Sequence, residues 1–251
     1  MAYNLNNKLV IAISSRALFD LEEENQIFEK NGLDAYYKYQ LENQDKSLKK
    51  GTGYRLVENI LKINSFFSSD ERKVEVIILS KNNAATSLRI TNAINDLKLD
   101  IIRSAWTSGT NISNYLKAFK VDLFLSADDN DVLNAIENGV AAAKILPSNE
   151  NIHNSSNNQV RIAFDGDAVL FSEESELVYK NNGLDAFIEH EKLNKDNPLE
   201  MGPFAKLLLT IAKIQAKFPT DKSPIRTALV TARSAPTHER VIKTFNVWGV
   251  R

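Results

Sequence analysis

VRIAFDGDAVLFSEESE, residues 160–176, runs from an apolar stretch into two aspartates one residue apart, Asp165 and Asp167, and then into three glutamates. VRIAFDG is the kind of short apolar run that forms a buried parallel strand. The acidic helical stretch at 173–182 runs into Gly183, and Asn182-Gly183 is a helix-stop signal. An Asp-x-Asp pair alone reads as an acidic turn, because aspartate favours caps and turns for local reasons. Its place after a strand gives it a second reading, since open parallel sheets bind ligands at the carboxyl ends of their strands. Thr231 stands directly after another apolar run, IRTALV (225–230). If the two strands are neighbours, Asp165, Asp167 and Thr231 converge on one crevice.

The same pattern occurs earlier in the chain. NGLDA is found at 31–35 and again at 182–186, an offset of 182 − 31 = 151. That offset also pairs Ile11-Ala12 with Ile162-Ala163, Gly51 with Gly202, Lys62-Ile63 with Lys213-Ile214, and Arg89 with Arg240. Laid over 160–251 without a gap, residues 9–100 give 24 identities in 92 pairs. A period this long exceeds that of solenoid repeats and points to a duplicated domain. The expected organisation is a first half at 1–146, a polar Asn- and Ser-rich linker at 147–159, and a second half at 160–251.

Each half reads in the same order. Strands are expected at 8–14 and 160–166, then acidic helices, then a second helix whose N-cap is the aspartate of NGLDA. A third helix follows at about 53–64 and 203–217, then strands at 74–80 and 225–231, then helices at about 86–97 and 237–246. The first half continues through DIIRSAW, a helix at 112–119, a strand at 121–129 and a helix at 130–143. Strands alternating with helices imply an α/β fold of two tandem Rossmann-like halves with mainly parallel sheets.

Composition narrows the function. The chain has 251 residues, is 43% hydrophobic and 25% charged, and carries a formal net charge of −1. Nothing in that balance attracts a polyanion, so a nucleic acid polymer is not an expected partner. With no cysteine there is no disulfide, thiolate nucleophile or thiolate metal site. The N-terminal MAYNLNNKLVIAIS has neither the basic start nor the cleavage site of a secretory signal, and no apolar stretch reaches spanning length. A cytoplasmic protein is the expectation, with a homo-oligomer left open.

The acidic loop suits phosphoryl transfer. One carboxylate can attack phosphorus to form an aspartyl-phosphate, which splits one difficult displacement into two easier ones. A second carboxyl can protonate the leaving alkoxide and later take a proton from water. A hydroxyl and loop N–H groups can hold the phosphoryl oxygens. Two carboxylates this close repel unless a cation neutralises them, and oxygen ligands of this kind suit Mg2+.

FDGDAVLFSEESE and IRTALVTARSAP, with ISSRALFD, LSKNNA and FLSADDNDVLNAIENGVAAA in the first half, resemble the cytosolic 5'-nucleotidase type I family among the haloacid dehalogenase-like phosphohydrolases. The resemblance implies hydrolysis of nucleoside 5'-monophosphates with Mg2+ as cofactor. It makes Asp165 the nucleophile and Asp167 the general acid and base, both also serving the metal. Thr231 becomes the phosphate-binding hydroxyl, and Arg233 a phosphate or substrate contact. The helices between 173 and 200 correspond to a small cap, where Tyr179, Phe187 and His190 are either base contacts or ordinary packing. A phosphatase of the same fold acting on another small phosphate ester, and a non-catalytic nucleotide-binding protein, stay open as alternatives.

The first half departs from the pattern: at the constant offset Asp165 faces Ser14, Asp167 faces Arg16 and Thr231 faces Ser80. Ser14 and Ser15 are read as structural or ligand-contacting, because His153, His190 and His238 are scattered and none lies near them in sequence. The family also carries a lysine and a further acidic loop after the threonine motif. At 151 residues beyond Asp128 and Asp129 these would fall at 279 and 280, past Arg251. Two expectations follow: the chain is a fragment whose second half stops before its final strands, or the first half lends Asp128, Asp129 and Lys117 to a composite site.

Overall fold

The computed structural model describes residues 4–83, 86–147 and 158–251. The chain divides into two units, Met1–Asn158 and Gln159–Arg251. Most of the stretch read as a linker, with His153, lies outside the described residues.

The first unit begins with β1 (Leu9–Ile13) and the single turn α1 (Ser15–Leu18), and then a two-residue strand β2 (Phe19–Asp20). The long helix α2 (Glu22–Glu42) leads to β3 (Lys49–Lys50), which pairs antiparallel with β2. Next come α3 (Tyr54–Lys62), β4 (Val74–Ser80), α4 (Leu88–Asp96), β5 (Arg103–Trp106), α5 (Ser113–Ala118), β6 (Leu123–Ser126), α6 (Asp129–Glu137) and β7 (Ala142–Lys144). The main sheet is parallel throughout, in the order β5-β4-β1-β6-β7. β1 sits at its centre, so all five residues of LVIAI are buried, as expected of a strand flanked by others and covered by helices. All seven residues of β4 are buried as well. Phe124, Leu79 and Leu116 belong to one core cluster with Val10 and Ile112. The chain steps from β1 to β4 and β5 on one side and returns to β6 and β7 on the other. Such a reversal opens a crevice at the carboxyl ends of the central strands.

Two expectations are corrected here. The helix expected over 130–143 ends at Glu137. Asn138 and Gly139 (φ 73°) turn the chain, and Ala142–Lys144 joins the sheet beside β6. GVAAA reads as helix by propensity, yet the Asn-Gly stop and an open sheet edge outweigh that weak preference. The β2–β3 ribbon also has no expected counterpart, since two-residue strands carry no alternating pattern.

The second unit contains β8 (Val160–Asp165), α7 (Glu174–Leu193), α8 (Ala205–Gln215), β9 (Ile225–Val230) and α9 (His238–Trp248). β8 and β9 pair in parallel from Val160 with Ile225 to Asp165 with Val230. The offset relates this register to that of β1 and β4: Leu9 pairs with Val74, and adding 151 to each gives Val160 and Ile225. Among the described residues this sheet has two strands, and β8 accordingly alternates between buried and open positions where β1 is buried throughout.

Both long helices break at the glycine of NGLDA. Gly32 has φ 82° and ψ −177°, and Gly183 has φ 82° and ψ −175°. That region of backbone space is essentially restricted to glycine. The helix-stop motif therefore produces a kink, with helix resuming at once.

Candidate active site

The register of β8 and β9 positions the motif residues. Asp165 pairs with Val230 at the end of the ladder, so Thr231 follows directly beside the aspartate loop. A Cβ added to Gly166 would lie 3.4 Å from Thr231 Oγ1, which places the hydroxyl against the loop backbone. The Thr231 hydroxyl accepts a hydrogen bond from Arg233 N at 3.2 Å, making the second loop a tight turn. Asp165, Asp167, Thr231 and Arg233 are thus gathered at the carboxyl end of one strand pair.

The turn after β8 differs from that after β1. Gly166–Leu170 forms one wide turn of five residues where α1 has four, and Ala168 takes the left-handed φ of 58°. In the first unit Gly51 N donates to Leu18 O, and in the second Gly202 N donates to Leu170 O. Since 18 + 151 = 169, the carbonyl has moved on by one residue: the second unit holds an extra residue in this turn. The constant offset between Asp167 and Arg16 is broken within it. Wide turns of this kind recur at functional sites.

Asp165 is exposed, and its Oδ1 accepts from Gly166 N at 2.6 Å. Asp167 is held differently. Arg233 grips it with Nη2 to Oδ1 at 2.5 Å and Nε to Oδ2 at 2.9 Å. The other arm of the same guanidinium, Nη1, donates to Glu191 Oε2 at 2.5 Å. The side chains of Arg233 and Glu191 are 2% and 0% exposed, so protein groups take the place of water around these charges. Glu191 Oε1 also accepts from Ser175 Oγ at 2.8 Å and from Arg240 Nη1 at 3.0 Å. Burial alone disfavours the charge on Arg233, but its bonds to Asp167 and the charges of Asp167 and Glu191 outweigh that and raise its pKa above the ordinary value.

Two aromatic residues of α7 touch, and Tyr179 is half exposed. Tyr179 meets Phe187 edge to face at 6.3 Å, and the Arg233 guanidinium lies 5.3 Å from the centre of the Phe187 ring. His190 Nε2 lies 3.2 Å from Glu174 Oε1. Glu191 was not legible in the sequence as a site residue. The repeat marks Arg240 by its match to Arg89, but Glu191 falls opposite Gln40 and carries no such mark.

The remaining candidates lie in the first unit. Asp128 caps α6, its side chain accepting from Asp131 N. Asp129 is paired with Lys144 at 2.6 Å, and Lys117 is an exposed residue of α5. Ser14, Ser15, Ser80 and Ser126 are buried at the strand ends and bond among themselves, Ser15 to Ser80 at 3.0 Å and Ser126 to Ser14 at 3.3 Å.

For a divalent cation, Asp165 offers an exposed carboxylate of the hard oxygen type that Mg2+ prefers, and Mg2+ is commonly held by one or two carboxylates with water and substrate phosphate. Both oxygens of Asp167 are engaged by Arg233. The described residues hold no group of three or more His, Asp or Glu side chains placed to share a metal.

The first unit's five-stranded parallel sheet covered by helices makes this a Rossmann-like α/β protein, an architecture consistent with the haloacid dehalogenase type. Within that class the 5'-nucleotidase family matches residues 1–251, and the chain belongs to it. Cytosolic 5'-nucleotidase 1B of Homo sapiens is 36% identical over 253 residues, covering 97% of this chain and 41% of that protein. The chain therefore spans about two fifths of the length of this curated relative. No solved structure matches. No helix among the described residues is long and apolar enough to cross a membrane.

Proposed function

We propose that the chain carries the catalytic loop of a cytoplasmic, Mg2+-dependent 5'-nucleotidase that converts nucleoside 5'-monophosphates to nucleoside and phosphate. The observation that carries this reading is the convergence of Asp165, Asp167, Thr231 and Arg233 on one strand end, in a chain of the 5'-nucleotidase family. Asp165 attacks phosphorus, the P–O5' bond breaks, and Asp167 supplies the proton that the departing nucleoside oxygen needs. Water then attacks the aspartyl-phosphate, losing its proton to Asp167, and phosphate leaves with Asp165 restored. The Thr231 hydroxyl and loop N–H groups hold phosphoryl oxygens. Bound at Asp165, Mg2+ would offset the charge of carboxylate and phosphate together.

The two units are read as copies of one ancestral domain, of which only the second kept its aspartates. The test is phosphate release from AMP, IMP and deoxynucleoside monophosphates with Mg2+. Asp165→Asn is expected to lower turnover by about a thousand-fold or more. Turnover unchanged in that variant removes Asp165 as nucleophile, and a preference for sugar phosphates over nucleotides would favour the phosphatase alternative.

A further inference from the structure

The two units bridge their long helix to their strand-end loop from the same three positions, but with different chemistry. In the first unit Asn82 Nδ2 donates to Tyr36 Oη at 2.7 Å, and Gln40 Nε2 donates to the same oxygen at 3.0 Å. Asn82 Oδ1 accepts from Ser80 Oγ at 2.7 Å and Ser15 Oγ at 3.1 Å. Adding 151 to 36, 40 and 82 gives Phe187, Glu191 and Arg233. There the neutral bridge is replaced by an ionic one: Glu191 to Arg233, Arg233 over Phe187, and Arg233 to Asp167. The backbone half of the joint is alike, since Arg89 Nε donates to Lys46 O and Arg240 Nε to Asn197 O, again 151 apart, but Arg89 Nη1 pairs with Glu24 where Arg240 Nη1 pairs with Glu191, and Ser175 stands opposite Glu24. The guanidinium at the strand-end loop, Arg233 where the first unit has Asn82, is present only in the unit that has an aspartate for it to hold.

We infer that Glu191 is a positioning residue, which anchors Arg233 from helix α7 and through it sets the place of Asp167. Arg233 presents a planar fork with donors on separate edges, and here one edge serves Glu191 and the other Asp167. Glu191 is fully buried, holds three hydrogen-bond partners and touches neither aspartate of the loop. Its effect on the chemistry therefore passes through the guanidinium. Within the proposed nucleotidase reading, this makes the helix carrying NGLDA part of what orients the acid and base.

The experiment uses the 251-residue chain with Glu191→Gln, and Glu191→Asp as a second variant that keeps the charge but draws it back by one methylene. The first readout is hydrogen exchange of the Arg233 Nε–H, followed by nitrogen-15 NMR. That proton bonds Asp167, so loss of Glu191 removes no partner from it directly. We expect its exchange to quicken by about ten-fold or more in either folded variant. The second readout is AMP hydrolysis with Mg2+, where kcat should fall about ten- to a hundred-fold while KM moves less than about three-fold. Nε–H exchange within about two-fold of the unsubstituted chain in a folded variant would overturn the positioning role. If the unsubstituted chain releases no phosphate from any nucleotide, the nucleotidase reading falls, and the exchange measurement still decides the role of Glu191.

Discussion

At the residue scale, one guanidinium organises the second unit's site. The Arg233 side chain is buried and satisfied on both edges by carboxylates. Breaking a buried ion pair from one side is costly, because the partner charge stays buried without compensation. Arg233→Met is accordingly expected to destabilise the protein by about 3–5 kcal/mol, leaving Asp167 without its cation and Glu191 with Arg240 alone, as chemical denaturation would measure. Thr231 is a milder case. Its hydroxyl accepts from Arg233 N and lies against Gly166. Thr231→Val should fold and lose about ten- to a hundred-fold in kcat/KM for AMP, the worth of one hydrogen bond to a charged group. The aspartates, the threonine and the arginine were all legible in the sequence as a loop following a strand. The grip of Arg233 on Asp167 was not, because 66 residues separate them and only the strand register brings them together.

At the scale of elements, glycines and helix faces carry the testable content. Gly202 N donates to Leu170 O, and a Cβ at Gly202 would stand 2.3 Å from Phe171 O, well inside contact distance. Gly183 meets no such crowding, but its φ of 82° with ψ near 180° excludes other residues. Gly183→Ala should cost about 1–3 kcal/mol through backbone strain alone. Gly202→Ala should cost more than Gly183→Ala, since backbone rather than a flexible side chain must give way; thermal unfolding of the pair would rank them. On α3, Glu58 lies between Arg55 and Lys62, at 2.5 and 3.1 Å. Burial pushes its carboxyl upward, but hydrogen bonds from Lys62 and Arg55 prevail and its pKa falls below the ordinary 4.5. A lowered folded-state pKa gives stability that is present above the unfolded value and lost as pH falls through the folded one. Glu58→Gln should therefore cost up to about 1 kcal/mol at neutral pH, and the gap from the unsubstituted protein should close as pH drops below about 4.5. Denaturant midpoints across pH 3 to 7 would check this (the range spanning the group's titration, roughly).

At the scale of the whole molecule, the chain presents the same strand-end position twice with different equipment. The first unit keeps a five-stranded parallel sheet and buried hydroxyls but has Ser14 and the tight turn α1 where the second has Asp165 and the wider turn. Adding Ser14→Asp to the Asp165→Asn protein should restore no phosphate release from AMP, because the position two residues on holds Arg16 instead of an aspartate and the turn is the tighter one. Recovered turnover would mean that the first unit can still host the chemistry.

The order of strands and helices, the repeat and the acidic loop could be read from the chain alone, because apolar runs, Asn-Gly stops and repeated motifs are local in sequence. The extra residue after β8, the return of GVAAA to the sheet as β7, and the Glu191–Arg233–Asp167 chain were decided only by tertiary structure. Each depends on groups far apart in sequence whose free energy is set by burial and register. A buried charge must find its counter-charge wherever the fold supplies it, and no local pattern records where that is.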